Sequence, residues 1–248
     1  MSTIVKEIEN SKRSTKYEKI KKYLAKGVVE KVNNDLRVNY FSPYTWRIIY
    51  SKAFAEQVVF RALNASEGIL TGMKVIGFIT PIPYSEAPIY EVYVPKDRAD
   101  VFGAIVGLRD DIIVYSSSRS LFKAPLSKTV ILAYTLDKPV EYENIDSSYG
   151  FSVKEATIEQ ALVDVIRNDY WYYRGIAFEI YYYARKYVAP EKVLEIAKRF
   201  NLEKRLYTID FVVSETLGVE PMYTIPENME LDRINLVEVI GRLGDVVD

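Results

Sequence analysis

The chain has 248 residues, 49% hydrophobic and 27% charged, with a net charge of −1, long enough to bury a sizeable core without disulfide or metal staples. Cys and His are both absent, which excludes thiolate nucleophiles, disulfides, Cys/His zinc sites, Ser-His-Asp triads and imidazole bases. Charges interrupt every apolar run well short of the roughly 20 residues a membrane helix needs.

No apolar signal region follows the N-terminal Met, so a soluble, cytoplasmic chain without membrane contact is expected. Few Met and Gln beside abundant Ile, Val, Lys and Glu point to a thermophilic source. Charge is unevenly spread. Residues 1–41 hold ten Lys/Arg against five Asp/Glu, an excess of five positive charges, which leaves −6 on residues 42–248. The basic end is where a polyanion partner is expected.

In chain order, Ile4, Val5 and Ile8 make one edge of a short helix. Thr15 with Glu18 three residues on forms a capping box for a second helix that stops at Gly27. At 100° per residue, Tyr17, Ile20 and Leu24 share one arc of that helix, and Lys16, Lys19, Lys22 and Lys26 occupy the opposite arc with Tyr23. Two strands, GVVEKV and LRVNY, follow around Asn33, Asn34 and Asp35, a hairpin by composition. A basic helix followed by a basic hairpin is how a winged helix-turn-helix ends. Duplex DNA is therefore the expected partner, contacted by Lys12, Arg13, Thr15, Lys16, Lys19, Lys22, Tyr23, Lys26, Lys31, Asn34 and Arg37. Only 14 residues precede Thr15, so the module either lacks one helix or is completed by the helix near 43–52.

Helical periodicity resumes over 43–64, and SEGILTGMKVIGF reads as a turn and a short helix. IYEVYVP, DIIVYS and KTVILAYTL are strand-like, with a helix over 97–108 between the first two, and VEYENI and GFSVKEA add shorter strands. From Ala156 helices dominate. Thr157 and Gln160 make a capping-box pair ahead of the stripe Ile158, Ala161, Leu162, Val165 and Ile166. Pro190 opens the next helix, and Leu202, Leu206, Ile209, Val213 and Leu217 mark one closed by Gly218. The expected fold class is α+β: a short N-terminal winged helix-turn-helix (1–41), a mixed α/β middle with a sheet (42–150) and a helical C-terminal part (151–248).

Candidate chemistry is sparse. Phosphate-binding Gly loops and Gly-x-Ser-x-Gly elbows are missing. Asp110 and Asp111 precede a strand, faintly like a metal-dependent nucleotidyltransferase, but neighbouring strand residues point to opposite faces and cannot easily share a metal. No catalytic residue, cofactor or metal is expected. DYWYYRGIAFEIYYYARKY carries seven of the 21 Tyr. Read as one helix, it turns Tyr173, Ile176, Ala177, Ile180 and Ala184 to the core and leaves Arg174, Phe178, Tyr181, Tyr182 and Arg185 for a protein partner. The alternative is a helix buried between two layers of its own domain.

The order of basic helix, hairpin, ILTGMKVIGF, KEATIEQALVD and KRLYTIDFVVSETLG resembles the AbiEi-type antitoxins of type IV toxin-antitoxin systems. Thr71-Gly72 and Gly77-Phe78 look like the family's threonine-glycine helix entry. Ala156, Thr157, Glu159, Ala161, Leu162 and Asp164 look like its central signature, and Arg205, Leu206, Leu217 and Gly218 like its closing helix. The resemblance covers residues 14–218 and implies a non-enzymatic transcriptional regulator that binds its own promoter and neutralises a nucleotidyltransferase-type toxin. A stand-alone DNA-binding regulator without a toxin is the close rival, and a carboxylate-metal nucleotidyltransferase the more distant one.

Overall fold

The computed structural model describes residues 51–244 apart from 83, 126, 127 and 148, together with Ile20, Lys21, Leu24, Ala25 and the segments 29–32 and 35–38. Two compact units are present, 1–57 and 58–248.

In the first unit, Ile20, Lys21, Leu24 and Ala25 are helical. The strands β1 (Val29–Val32) and β2 (Asp35–Val38) pair antiparallel, Val32 opposite Asp35 and Glu30 opposite Arg37.

The second unit is built on six strands in the order β5-β6-β4-β3-β8-β7: β3 Ile69–Thr71, β4 Ile89–Val94, β5 Ile112–Tyr115, β6 Thr129–Thr135, β7 Tyr142–Asp146 and β8 Ser152–Ala156. The sheet is mixed. β4, β5 and β6 run parallel, β3 opposes β4, β8 runs parallel to β3, and β7 closes a hairpin on β8. β4 is central and its IYEVYV is buried on both faces. A strand covered on both sides needs near-continuous apolar or aromatic character, and this is the run that supplies it.

The helices are α1 (Ser51–Ser66), α2 (Met73–Ile76), α3 (Ala99–Val106), α4 (Ile158–Arg167), α5 (Asp169–Tyr173), α6 (Ile176–Ala184), α7 (Pro190–Arg199), α8 (Glu203–Leu217) and α9 (Leu236–Gly244). α3 carries the chain from β4 to β5. Its Phe102 and Val106 line an apolar groove of about 300 Å³ with Val94, Val114 and Ala133 on one face of the sheet. Glu91 and Tyr93, on the opposite face, meet α4 and α5. No helix among the described residues is long and apolar enough to cross a membrane.

Each expected strand of the middle region is present, and β3 is an addition. Flanked by Gly68 and Gly72, its three residues are too few to show alternation; pairing with β4 and β8 makes them a strand. The division expected at residue 150 falls inside one unit. β8 lies beyond it yet belongs to the sheet, and one continuous apolar core joins sheet and helices.

The aromatic run is two helices, not one. Gly175, at φ 73°, takes the left-handed conformation between α5 and α6, and a Cβ there would sit 3.2 Å from Val239 Cα of α9. A residue without a Cβ meets both demands. The break shifts the helical phase, which leaves Tyr173 47% exposed and Phe178 and Tyr181 fully buried. α6 is the inner helix, packed by α4, α5, α8 and α9.

Candidate functional site

The most developed polar arrangement lies between the sheet and α4–α5. Glu91 and Tyr93 share a face of β4 because strand side chains alternate. Asp164, Arg167 and Asn168 meet them from α4 and its C-cap, Asp164 and Arg167 one turn apart. α4 owes its start to Thr157, whose side chain accepts from the Gln160 N–H, and to an apolar stripe of Ala161, Leu162, Val165 and Ile166, all buried.

Glu91 has no exposed surface. Its carboxylate accepts from the Met73 N–H at 3.1 Å, Asn168 Nδ2 at 3.1 Å and Trp171 Nε1 at 2.9 Å, with the Tyr134 hydroxyl at 3.4 Å. Burial outweighs these donors and pushes its pKa up to about 7. Gly72, at φ 64°, lies against it: a Cβ there would be 2.2 Å from Oε1. Asp164, equally buried, accepts from Thr71 Oγ1 at 2.6 Å and from the Tyr93 hydroxyl at 2.5 Å. Burial raises its pKa too, against the pull of Arg167 and these donors. The Arg167 guanidinium is 3.7 Å from Asp164 and stacks 3.8 Å from the Tyr134 ring centroid. Satisfied by their own neighbours and sealed from solvent, Glu91 and Asp164 join β3, β4, α2, α4 and α5. Their hydrogen bonds lock these elements together.

An open crevice of about 460 Å³ lies where β8 runs into α4, lined by Val75, Phe78, Glu143, Glu155, Glu159 and Tyr187 among others. Glu143 and Glu155 stand directly opposite across the hairpin, an unfavourable like-charge pairing. Burial first, then Glu143, raises the Glu155 pKa. Lys192, 2.9 Å from Glu141 and 3.7 Å from Glu159, balances part of this charge.

The residues expected to meet a protein partner separate. Arg174 is exposed, its side chain 3.9 Å from Glu238. Tyr182 is half-buried, and Arg185 is half-buried with its guanidinium donating to the Glu220 carbonyl. Phe178 and Tyr181 are interior, and their place in an exposed interface is corrected. The Tyr181 hydroxyl donates to Asp210 at 2.7 Å, and the same carboxylate accepts from the Met222 and Tyr223 N–H groups. Tyr181 therefore helps hold the segment that follows α8, a link between distant segments that helix periodicity does not reveal.

Asp110 and Asp111 do not converge on one position. Arg109 holds the Asp111 carboxylate through Nε at 2.7 Å and Nη2 at 2.5 Å, while Lys128 donates to the Asp110 carbonyl. Among the described residues no group of three metal-capable side chains gathers. Of the expected DNA contacts, the backbones of Lys31 and Arg37 lie in β1 and β2. Lys12, Arg13, Thr15, Lys16, Lys19, Lys22, Tyr23, Lys26 and Asn34 lie outside the described residues.

Sequence periodicity missed Glu91 because an acidic residue inside IYEVYV looks like the solvent side of a strand. Its one visible signal is that the neighbours on its own face, Ile89 and Tyr93, are apolar or aromatic. No protein-family model and no curated protein matches the chain.

Proposed function

We propose that the chain is an AbiEi-like antitoxin and DNA-binding transcriptional regulator, its basic N-terminal segment contacting duplex DNA and its C-terminal unit countering a nucleotidyltransferase-type toxin. The observation that carries this reading is the convergence of the residues on which the family resemblance rests. Thr71 of β3 bonds Asp164 of α4 across 93 positions, and Gly72 makes room for Glu91. Thr157 caps the start of α4, and Arg205 caps its end by donating to the Ile166 and Arg167 carbonyls. Gly218 ends α8 in the left-handed conformation. Short motifs far apart in the chain are thus parts of one scaffold. The paired β1 and β2, at the end of a basic segment, add support from the first unit.

A stand-alone regulator without a toxin is the second reading, favoured by the burial of Phe178 and Tyr181, which removes two of the expected interface anchors. Co-expression with the product of the neighbouring gene separates the two. Co-purification of a nucleotidyltransferase whose toxicity is relieved supports the antitoxin, and promoter binding without any such partner supports the stand-alone regulator. An absence of promoter binding at low salt removes both.

A further inference from the structure

A surface on the second unit, remote in sequence from the basic N-terminal segment, combines exposed rings with an excess of cations. The turn Ser118–Lys123 is docked on the start of α5, with Leu121 buried beneath it and the Asp169 N–H donating to Ser118 Oγ. This frame presents Phe122, 48% exposed, with its ring centroid 5.1 Å from that of Tyr170. Arg174 stacks near both rings, at 5.5 and 5.8 Å. One turn from Tyr170 on α5, Tyr173 is 47% exposed, with the Arg205 guanidinium 5.8 Å from its centroid. Arg119, whose side chain is 83% exposed, and the exposed Lys123 flank Phe122 in the chain.

Four cations here, Arg119, Lys123, Arg174 and Arg205, stand beside two carboxylates. Asp169 is shared between Arg119 at 3.0 Å and Arg205 at 2.6 Å, and Glu238 lies 3.9 Å from Arg174. The excess stands out because residues 42–248 carry −6 overall. Charge complementarity therefore calls for an anionic occupant, and two half-exposed rings call for one with flat faces. Arg beside aromatic rings also suits a protein interface, so the choice of occupant rests on the excess of cations together with the exposed ring faces. Bases on rings with phosphates on Arg and Lys satisfy both demands.

We propose that Phe122, Tyr170 and Tyr173, with Arg119, Lys123 and Arg174, form a binding surface for single-stranded nucleic acid, separate from the duplex contact assigned to the N-terminal segment. The rings stack on bases with little sequence preference, and the cations track the backbone.

The test uses the full chain and a fluorescent oligothymidylate of about 15 nucleotides, within the footprint of such surfaces, beside the promoter duplex. Binding is followed by anisotropy at low and raised salt. Phe122→Ala with Tyr173→Ala is expected to weaken oligothymidylate binding about tenfold or more and leave duplex binding unchanged. Arg119→Glu, on a side chain that is largely solvated, gives an independent reading if the aromatic variant unfolds by circular dichroism, and is expected to weaken the same complex. The proposal is overturned if the full chain does not bind the oligonucleotide at low salt. It also fails if both variants bind it as well as the parent does, or lose duplex binding in parallel. Poly-glutamate binding as tightly as oligothymidylate, sensitive to Arg119→Glu but not to loss of the rings, would show a surface for acidic proteins instead.

Discussion

Ionising a carboxylate with no exposed atom is costly even when donors surround it, and Glu91 shows the balance. Burial lifts its pKa from 4.5 to about 7, so between those values the folded chain binds a proton that the unfolded chain releases. The stability this contributes is complete below pH 4.5 and is lost as pH rises through the folded value. Asp164, also raised, acts in the same direction. Asp169 acts in the opposite one: burial works against ionisation, but Arg205 and Arg119 hold its carboxyl below 3.8, so its contribution is lost only under strongly acid conditions. The midpoint of thermal unfolding should therefore fall as pH rises from about 5 to about 7. The Glu91 share is on the order of 3 kcal/mol at about 1.4 kcal/mol per pKa unit. Glu91→Gln imitates the protonated acid and should flatten that fall; melting curves with the same pH slope in both proteins would remove Glu91 as its source.

At the scale of the element, α4 ties the sheet to the helices. It sits on β3 and β8, and it delivers Asp164 and Arg167 to the interior. Thr157→Ala should cost about 1 kcal/mol, as N-cap losses do. Leu162→Ala, at a position with no exposed surface, should cost about 2–5 kcal/mol. Denaturant unfolding checks both, and a Leu162→Ala midpoint equal to the parent's would mean that the stripe is not a core face. These features are legible in the sequence, because a capping pair followed by an unbroken 3.6-residue stripe allows one reading. The strands of the middle region are legible for the same reason, being long β-branched and aromatic runs. β3 is not, since three residues carry no period. The phase of α6 is lost because a left-handed glycine resets the helical wheel, and Gly175 gives no sequence sign of doing more than any glycine in a helix. The interior lock is hidden for a further reason: Glu91 and Asp164 become informative only when strands and helices distant in sequence are stacked.

For the whole molecule, charge is the property that most divides the chain. The first 41 residues hold an excess of five positive charges and the remainder is net negative, so under the proposed function a duplex should be drawn to the N-terminal segment rather than to the rest. The lysine-rich sequence of residues 16–26 has few side chains suited to bidentate reading of base edges, so phosphate contact is expected to supply most of the affinity there. Each phosphate neutralised releases condensed counterions, so the logarithm of affinity falls with the logarithm of salt by about 0.9 per contact. Replacing Lys19, Lys22 and Lys26 with Ala should remove about three such contacts, lowering affinity for all duplex sequences alike and making the salt dependence shallower by roughly 2.7. None of the three belongs to the second unit, so its thermal transition and its binding of oligothymidylate or a protein partner should be unaffected. Parallel titrations of promoter and unrelated duplex at several salt concentrations, on parent and triple variant, read both quantities. An unchanged salt slope would place the duplex contact elsewhere on the chain. Loss confined to the promoter would show that these lysines read sequence rather than backbone.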